Sequence, residues 1–222
     1  MWPLPELNLA ELKIAAKEFA SQLNNRAIPS LFGATDGKAV GTYVEQEFRR
    51  YLSERYSFTL GNAAAGIDFP GLNVDIKTTS TKQPQSSCPF SSASQKVYGL
   101  GYHLLIFEYE KSDDPVSRTA ILRVVTVIFL EKERTADYQT TAGLLGILQR
   151  NGNVDDIVAF LEERNLPLDE IGCRTLAERI LAEPPKLGYL TISNALQWRL
   201  QYTRAITLAI NGKTEGVESL YV

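Results

Sequence analysis

Apolar residues recur at two different spacings along the chain, and the spacing predicts where helices and strands form. In residues 9–23 and 38–55 they return every three or four positions, as on one face of an α-helix. Residues 91–99 predict a short helix, whereas residues 104–107 and 120–130 have the apolar character of buried strands. This order of elements predicts an α/β core.

The last third of the chain predicts helices separated by a break. Residues 154–164 and 174–182 are amphipathic, and residues 193–208 predict a third helix capped by Thr191 or Ser193. Between the second and third helices, residues 184–188 read Pro-Pro-Lys-Leu-Gly, which interrupts a helix. We therefore expect a core over residues 1–150 and a helical C-terminal region over residues 151–222 that packs on this core.

Residues 66–77 predict a hairpin with one apolar face and one charged face. If positions 70 and 71 form a two-residue turn, Phe69 lies opposite Leu72 and Asp68 lies opposite Asn73. Because side chains alternate along a strand, Asp75 and Lys77 project to the same side as Asp68. The two aspartates are then diagonal neighbours, close enough to bind one divalent cation. An ordinary amphipathic hairpin with a solvated polar face is the alternative.

The spacing of Asp68 and Asp75-Ile76-Lys77 resembles the metal-binding core of the PD-(D/E)XK nuclease superfamily. This superfamily includes most type II restriction endonucleases and several DNA-repair nucleases. Ile67 stands where the family name has proline, and this departure removes no ligand. The resemblance extends over residues 38–130 and implies a restriction-endonuclease-like fold, in which helices flank a central mixed β-sheet.

In this family the helix before the sheet often supplies a further acid. Glu45 lies at the edge of the apolar stripe in residues 38–55 and is our candidate, although an i,i+4 ion pair with Arg49 also explains it. Glu47 is the less favoured alternative. The family also places a supporting glutamine on the helix after the lysine strand, where this chain has Gln95-Lys96. A surface Gln-Lys pair is the other interpretation.

The resemblance implies hydrolysis of a phosphodiester by in-line attack of water. Mg²⁺ held by Asp68, Asp75 and the main-chain carbonyl of Ile76 would act as a Lewis acid and orient the water. Lys77 is expected either to stabilise the phosphate or, if its pKa is lowered, to help deprotonate the water. Asp68, Asp75, Lys77 and Glu45 form the predicted catalytic set.

The rest of the sequence disfavours other hydrolase designs. His103 is the sole histidine, and Cys88 and Cys173 form no Cys-x-x-Cys pair, which disfavours histidine-metal nucleases, Ser-His-Asp hydrolases and zinc ribbons. The sequence contains no Gly-x-x-x-x-Gly-Lys-Ser/Thr phosphate loop. It also contains no apolar run of membrane length and no signal-peptide pattern, so we expect a soluble, cytoplasmic protein.

The formal net charge of −3 is unusual for a DNA-binding protein, but the charge is unevenly distributed. Basic residues outnumber acidic ones over residues 174–213, and the reverse holds over residues 150–173. Polar side chains of the last predicted helix and of the loop at 78–94 are suited to DNA contacts. A core helix and a disordered linker are the respective alternatives. The candidates are Lys82, Gln85, Ser87, Ser91, Gln95, Lys96, Gln197, Arg199, Gln201 and Arg204.

Taken with the resemblance, these features predict a Mg²⁺-dependent type II restriction endonuclease that cuts double-stranded DNA at a short specific site. Cutting both strands of a palindrome needs two symmetric sites, so we expect a homodimer, with a cognate DNA methyltransferase as its genetic partner. A structure-selective repair or junction nuclease, and a noncatalytic DNA-binding protein on the same fold, are the alternatives.

Overall fold

The structure, a computed structural model, describes residues 3–24, 26–59, 61, 66–88, 91–193, 198–212 and 214–222. The helices within these ranges are α1 (Leu9–Leu23), α2 (Gly37–Ser53), α3 (Gln95–Tyr98), α4 (Tyr138–Gln149), α5 (Val154–Glu163), α6 (Glu170–Ala182) and α7 (Thr203–Ile210). The strands are β1 (Ala27–Ile28), β2 (Val74–Ser80), β3 (Gln85–Cys88), β4 (His103–Asp114), β5 (Thr119–Leu130), β6 (Thr191–Ile192), β7 (Trp198–Gln201) and β8 (Val217–Tyr221).

Most of the predicted helices form close to their predicted bounds. α1 spans the predicted residues, and Asn8 caps it by accepting a hydrogen bond of 3.0 Å from the Glu11 N–H. α2, α5 and α6 cover the other amphipathic segments, and the chain leaves α6 before the two prolines at 184 and 185. The sequence pattern did not predict α4. No helix in the described ranges is both long enough and apolar enough to cross a bilayer.

A five-stranded mixed sheet lies at the centre of the fold. β4 and β5 are long antiparallel neighbours, and the far side of β5 pairs with both β1 and β8. β2 runs parallel to β4 and forms the other end of the sheet. Helices flank this sheet, so the predicted α/β class with a central mixed sheet is confirmed.

Different layers cover the two faces of the central sheet. On one face, α1 and α2 bury Phe19 and Phe48 against Phe107 of β4, with ring centroids 5.3 Å apart between Phe48 and Phe107. On the other face lies a small antiparallel sheet in the order β3-β7-β6, together with α7. α4, α5 and α6 pack around a third apolar cluster. Side chains of β2 therefore alternate between the helical layer and the small sheet.

The predicted helix over residues 193–208 is wrong in its first half. Trp198–Gln201 form β7, α7 begins at Thr203, and residues 194–197 lie outside the described ranges. Apolar residues at 198, 202 and 206 fit a helix, whereas those at 198, 200 and 202 fit a strand, so the pattern supports both. Pairing with β3 favours the strand, because it buries Trp198 and Leu200 against the central sheet. Residues 151–222 are accordingly not helical throughout.

Candidate active site

The predicted hairpin forms, but with a longer turn than predicted. Phe69 pairs with Val74 rather than Leu72, through N–H···O bonds of 2.9 and 3.2 Å. Asn73 ends the intervening turn with φ of +55°, a left-handed conformation that asparagine tolerates better than most residues. Its side-chain amide donates a hydrogen bond of 2.8 Å to the Gly101 carbonyl, so Asn73 belongs to the turn and not to the charged face.

The change of register keeps the charged face intact. Pairing shifts by two residues from the prediction, and only a shift of one would turn side chains to the opposite face. Asp68 therefore lies across from the segment containing Asp75 and Ile76, rather than diagonal to it. Asp68 and Asp75 therefore lie close together, although Phe69 pairs with Val74 and not with the predicted Leu72.

Asp68 occupies the open edge of β2. Its Oδ2 accepts a hydrogen bond of 2.7 Å from the Ile76 N–H, and its Oδ1 lies 2.5 Å from Arg49 Nη2. In a strand, the N–H and C=O of one residue point to the same side. The Ile76 carbonyl therefore faces the same edge as the Asp68 carboxylate, as its predicted role as a metal ligand requires.

Asp75 and Lys77 form an ion pair on the face of β2 that is turned towards the small sheet. Lys77 Nζ lies 2.7 Å from Asp75 Oδ2, and the Asp75 side chain is only 6% exposed. This buried oxygen faces the Lys77 ammonium. A carboxylate oxygen has two lone pairs, so the same oxygen can also bind a second partner such as a cation.

Burial and crowding of carboxylates control ionisation in the site. Burial raises the pKa of Asp75 to about 7; the positive charge of Lys77 opposes this rise and the Asp68 carboxylate adds to it. Burial lowers the pKa of Lys77, but the charges of Asp75 and Asp68 outweigh that effect, so the pKa of Lys77 lies above its ordinary value. Burial therefore disfavours the charged form of Asp75, and Lys77 is the positive group that opposes this effect.

α2 brings Glu45 to this cluster. Its stripe of Val44 and Phe48 is buried in the core, which leaves Glu45 and Arg49 at the edge of the helix beside Asp68. Arg49 Nη2 lies 2.7 Å from Glu45 Oε1, so the i,i+4 ion pair is present and also extends to Asp68. Burial raises the pKa of Glu45, and the negative charge of Asp68 raises it further.

The alternative acid on α2 does not face the cluster. Glu47 Oε2 lies 2.7 Å from Arg26 Nη1 and 2.5 Å from Arg50 Nη2, which are both outside the site. Of the two acids that the sequence offered, the structure brings Glu45 to Asp68 and keeps Glu47 in a separate ion-pair group.

The donor set suits a hard cation that keeps several waters. Asp75 offers a buried carboxylate oxygen, the Ile76 carbonyl faces the edge of β2, and the Asp68 oxygens retain further lone pairs. Among the described residues, no group of three or more His, Cys, Asp or Glu side chains forms a ready metal cage. Mg²⁺, which prefers few protein ligands, fits this arrangement better than zinc does.

The predicted DNA-contact residues fall into several groups. Lys82, Ser87, Ser91, Arg199, Gln201 and Arg204 are exposed, and Gln85 is half-buried. Gln95 is engaged locally, with hydrogen bonds of 3.4 Å from the Ser91 N–H and 3.3 Å to the Leu100 carbonyl. Gln197 lies outside the described residues.

Two of these predicted contacts pack against aromatic rings. Lys96 is only 2% exposed, and its Nζ lies 5.5 Å from the centre of a Trp198 ring. The Arg204 guanidinium lies 3.5 Å from the centre of the Tyr138 ring, which restricts its orientation. Aromatic packing therefore positions both of these positively charged side chains.

The sequence did not predict the buried polar side chains that lie beside Asp75. Cys88 on β3 and Tyr202 at the end of β7 lie close enough to Asp75 for its charge to raise the pKa of each, although burial is the larger cause. The Cys88 thiol lies 3.8 Å from the Tyr102 hydroxyl, and the Ser86 and Tyr202 hydroxyls are 2.5 Å apart. Their burial depends on the pairing of β3 with β7, which local patterns did not predict.

Comparisons with known proteins identify the family of the chain. The sequence model of the family described as type II restriction enzyme NspV matches residues 6–219. The type II restriction enzyme NspV of Nostoc sp. (strain ATCC 29411 / PCC 7524) is 54% identical over 215 residues, which is 97% of this chain and 97% of that protein. No solved structure matches the chain. The chain belongs to the NspV family of type II restriction enzymes.

Proposed function

We propose that this protein is a Mg²⁺-dependent endonuclease that hydrolyses both strands of duplex DNA at a short specific sequence. Its family membership supports the activity class. The observation that carries the site assignment is the convergence of Asp68, Asp75 and Lys77 at the open edge of β2. A phosphodiester approaching that edge would meet carboxylates able to hold a cation and an ammonium able to bind phosphate oxygens.

Asp68, Asp75 and the Ile76 carbonyl would hold the cation. When bound, Mg²⁺ supplies Lewis acidity and an oriented water for in-line attack. The burial of the Asp75 carboxylate and the position of the Asp68 carboxylate at the adjoining strand edge support this assignment. Glu45 completes the predicted catalytic set through its position beside Asp68, where Arg49 now links the two carboxylates.

Lys77 would stabilise the phosphate by its charge rather than act as the base. Its Nζ lies 2.7 Å from Asp75 Oδ2, which places a positive charge beside the proposed cation position. A protonated lysine can donate hydrogen bonds to the nonbridging oxygens, on which negative charge accumulates in the transition state. This role needs no proton transfer from the attacking water to Lys77.

The same proposal implies an oligomeric state and a partner enzyme that protects the host DNA. A single site of this kind cuts one strand, so a homodimer with two-fold symmetry would place one site on each strand of a palindrome. Cytoplasmic host DNA would need protection, and a DNA methyltransferase that modifies the same sequence would provide it.

Digestion of long phage DNA with Mg²⁺, followed by sequencing of the fragment ends, tests the proposal. Discrete fragments whose ends share one short sequence are the expected result. A smear, nicking alone or cleavage restricted to branched DNA would instead support a structure-selective nuclease. Absence of any cleavage, with DNA binding retained, would support a noncatalytic DNA-binding protein.

A further inference from the structure

The outer face of the small sheet is uniformly polar. β3 and β7 pair with Gln85 opposite Gln201 and Ser87 opposite Arg199, and β6 adds Thr191 opposite Gln201. Directly opposite residues share a face, and alternate residues along a strand share it too. These five side chains therefore lie on one face, which we call the outer face.

The opposite face of the same sheet is buried. Cys88, Trp198 and Leu200 are at most 3% exposed and pack towards the central sheet. This contrast fixes the orientation of the sheet, because turning it over would expose an aromatic and an aliphatic side chain. The polar side chains are consequently held outward by the burial of their neighbours.

The outer face has hydrogen-bonding capacity that the protein does not use. In the described part of the chain, the side chains of Gln85, Ser87, Arg199 and Gln201 make no hydrogen bond or ion pair with another residue. No acidic residue is a member of this face. A free guanidinium, two free amides and no carboxylate make a surface suited to DNA.

The dimensions of the ribbon formed by β3 and β7 match the major groove. Paired strands lie about 4.8 Å apart, so the ribbon fits a groove about 12 Å wide. Arg199 and Gln201 are two residues apart, which separates them by about 6.8 Å, or about two base-pair steps. Arginine pairs bidentately with guanine, and glutamine pairs bidentately with adenine.

The ribbon is also tied to the strand that carries the cleavage site. β3 follows β2 after a tight turn in which Ser80 pairs with Gln83. Thr79 Oγ1 donates to the Gln83 and Gln85 carbonyls at 3.3 and 3.4 Å, and the Tyr202 N–H donates to the Pro84 carbonyl at 2.8 Å. These hydrogen bonds connect the ribbon to β2, which carries Asp75 and Lys77.

We propose that the outer face of the small sheet reads the target sequence in the major groove, with Arg199, Gln201 and Gln85 contacting base edges. This inference rests on the proposed function for the choice of duplex DNA as ligand. It replaces the helix predicted over residues 193–208 by a β-ribbon as the reading element.

Selection of bound sequences from a random duplex pool, with Ca²⁺ in place of Mg²⁺, tests the proposal without cleavage. The wild-type protein is expected to enrich one short motif. Arg199→Ala, Gln201→Ala and Gln85→Ala should each lose the preference at one symmetric pair of positions and weaken binding to the enriched duplex by about 10-fold to 100-fold. Binding to a scrambled duplex should change little.

Arg123→Ala and Gln149→Ala are matched controls, because Arg123 is an exposed strand arginine on β5 and Gln149 is exposed at the end of α4. Neither control should alter the motif. Equal weakening on both duplexes by Arg199→Ala would identify a phosphate contact and overturn the proposal, as would an unchanged motif in all three variants. If the wild type enriches a motif but cleaves no DNA with Mg²⁺, the nuclease proposal fails and the proposed role of the outer face stands. If the wild type enriches no motif, the proposed role of the outer face is refuted.

Discussion

At the scale of single residues, Arg49 links two carboxylates that a divalent cation would also attract. Its guanidinium contacts both Glu45 and Asp68, and the three side chains are partly shielded from solvent, with 36%, 29% and 13% exposure for Glu45, Arg49 and Asp68. A sequence pattern predicts the i,i+4 partner on the same helix, but not the second partner, which arrives from the hairpin.

Replacing Arg49 with alanine should destabilise the metal-free protein by about 1–2 kcal/mol, because it leaves clustered carboxylates without their counter-ion. Mg²⁺ should reduce this loss, since a bound cation supplies the missing positive charge. Urea unfolding with EDTA and with Mg²⁺ measures both effects. Arg50→Ala is the control, because Arg50 is adjacent, 58% exposed and paired with Glu47 instead. Equal losses for the two variants in both buffers would contradict the role given to Arg49.

A second prediction at the scale of single residues concerns His103 and the dependence of folding stability on pH. Its Nδ1 accepts a hydrogen bond of 3.1 Å from the Lys132 N–H, and its ring stacks on Phe129. Burial lowers the pKa of His103 below 6.5. The unfolded chain therefore binds more protons than the folded protein as pH falls through about 6.5, so this contribution to stability is present above that pH and is lost below it.

Because His103 is the sole histidine, NMR titration of its ring signal reports this pKa without ambiguity. We expect a midpoint below that of an unfolded peptide containing the same residue. We also expect His103→Gln to weaken the pH dependence of the free energy of unfolding in the range between the folded and the unfolded pKa of His103. A ring that titrates at or above 6.5 would contradict the burial of His103 and its role as acceptor for the Lys132 N–H.

At the scale of elements, local patterns predicted the helices whose apolar stripe and cap lie within one segment. α1 has both, in Asn8 and the stripe ending at Leu23. The patterns were insufficient where a partner distant in sequence decides the structure. β7 is a strand because β3 pairs with it, and the turn after Phe69 is longer than predicted because Asn73 adopts a left-handed conformation.

The same distinction applies to the candidate site. Alternation along β2 places Asp75 and Lys77 on one face. Asp68 reaches them from the preceding turn, where its carboxylate accepts a hydrogen bond from the Ile76 N–H at the strand edge. The contribution of the small sheet could not be predicted in this way. Burial of Cys88 and Tyr202 near Asp75 depends on long-range pairing of β3 and β7.

Asp137 joins α4 to β6 through the hydrogen bonds of its side chain. Its Oδ2 accepts hydrogen bonds from the Thr140 N–H and hydroxyl at 2.8 and 2.7 Å, which caps α4, and its Oδ1 accepts one from the Ile192 N–H at 2.8 Å. Asp137 is only 1% exposed. Asp137→Ala should reduce the free energy of unfolding by roughly 3 kcal/mol, because a cap is lost and buried donors are left without partners.

The matched control is Asp169→Ala, which removes the exposed N-cap of α6. Asp169 accepts a single hydrogen bond of 2.7 Å from the Gly172 N–H, so a loss of about 1 kcal/mol is expected. Urea unfolding of both variants provides the comparison. Similar losses would show that Asp137 acts as a helix cap alone and does not join α4 to β6.

At the scale of the whole molecule, the proposed double-strand cut requires two copies of the site. Sedimentation with a duplex that carries the enriched sequence should give a complex with two protein chains, each of 24.7 kDa. The same measurement with the scrambled duplex serves as the control. A complex with one chain that still cuts both strands at the same rate would contradict the homodimer.

Asp75 is central to the proposed function, because its buried carboxylate is the proposed centre of the metal site. Asp75→Asn keeps the shape of the side chain and removes its charge, so folding and DNA binding should persist. The decisive measurement is the single-turnover cleavage rate of this variant with Mg²⁺, taken together with its affinity for the same duplex without Mg²⁺. We predict a rate at least about 100-fold below wild type with affinity maintained. Cleavage at the wild-type rate would contradict the assignment of the active site to the edge of β2.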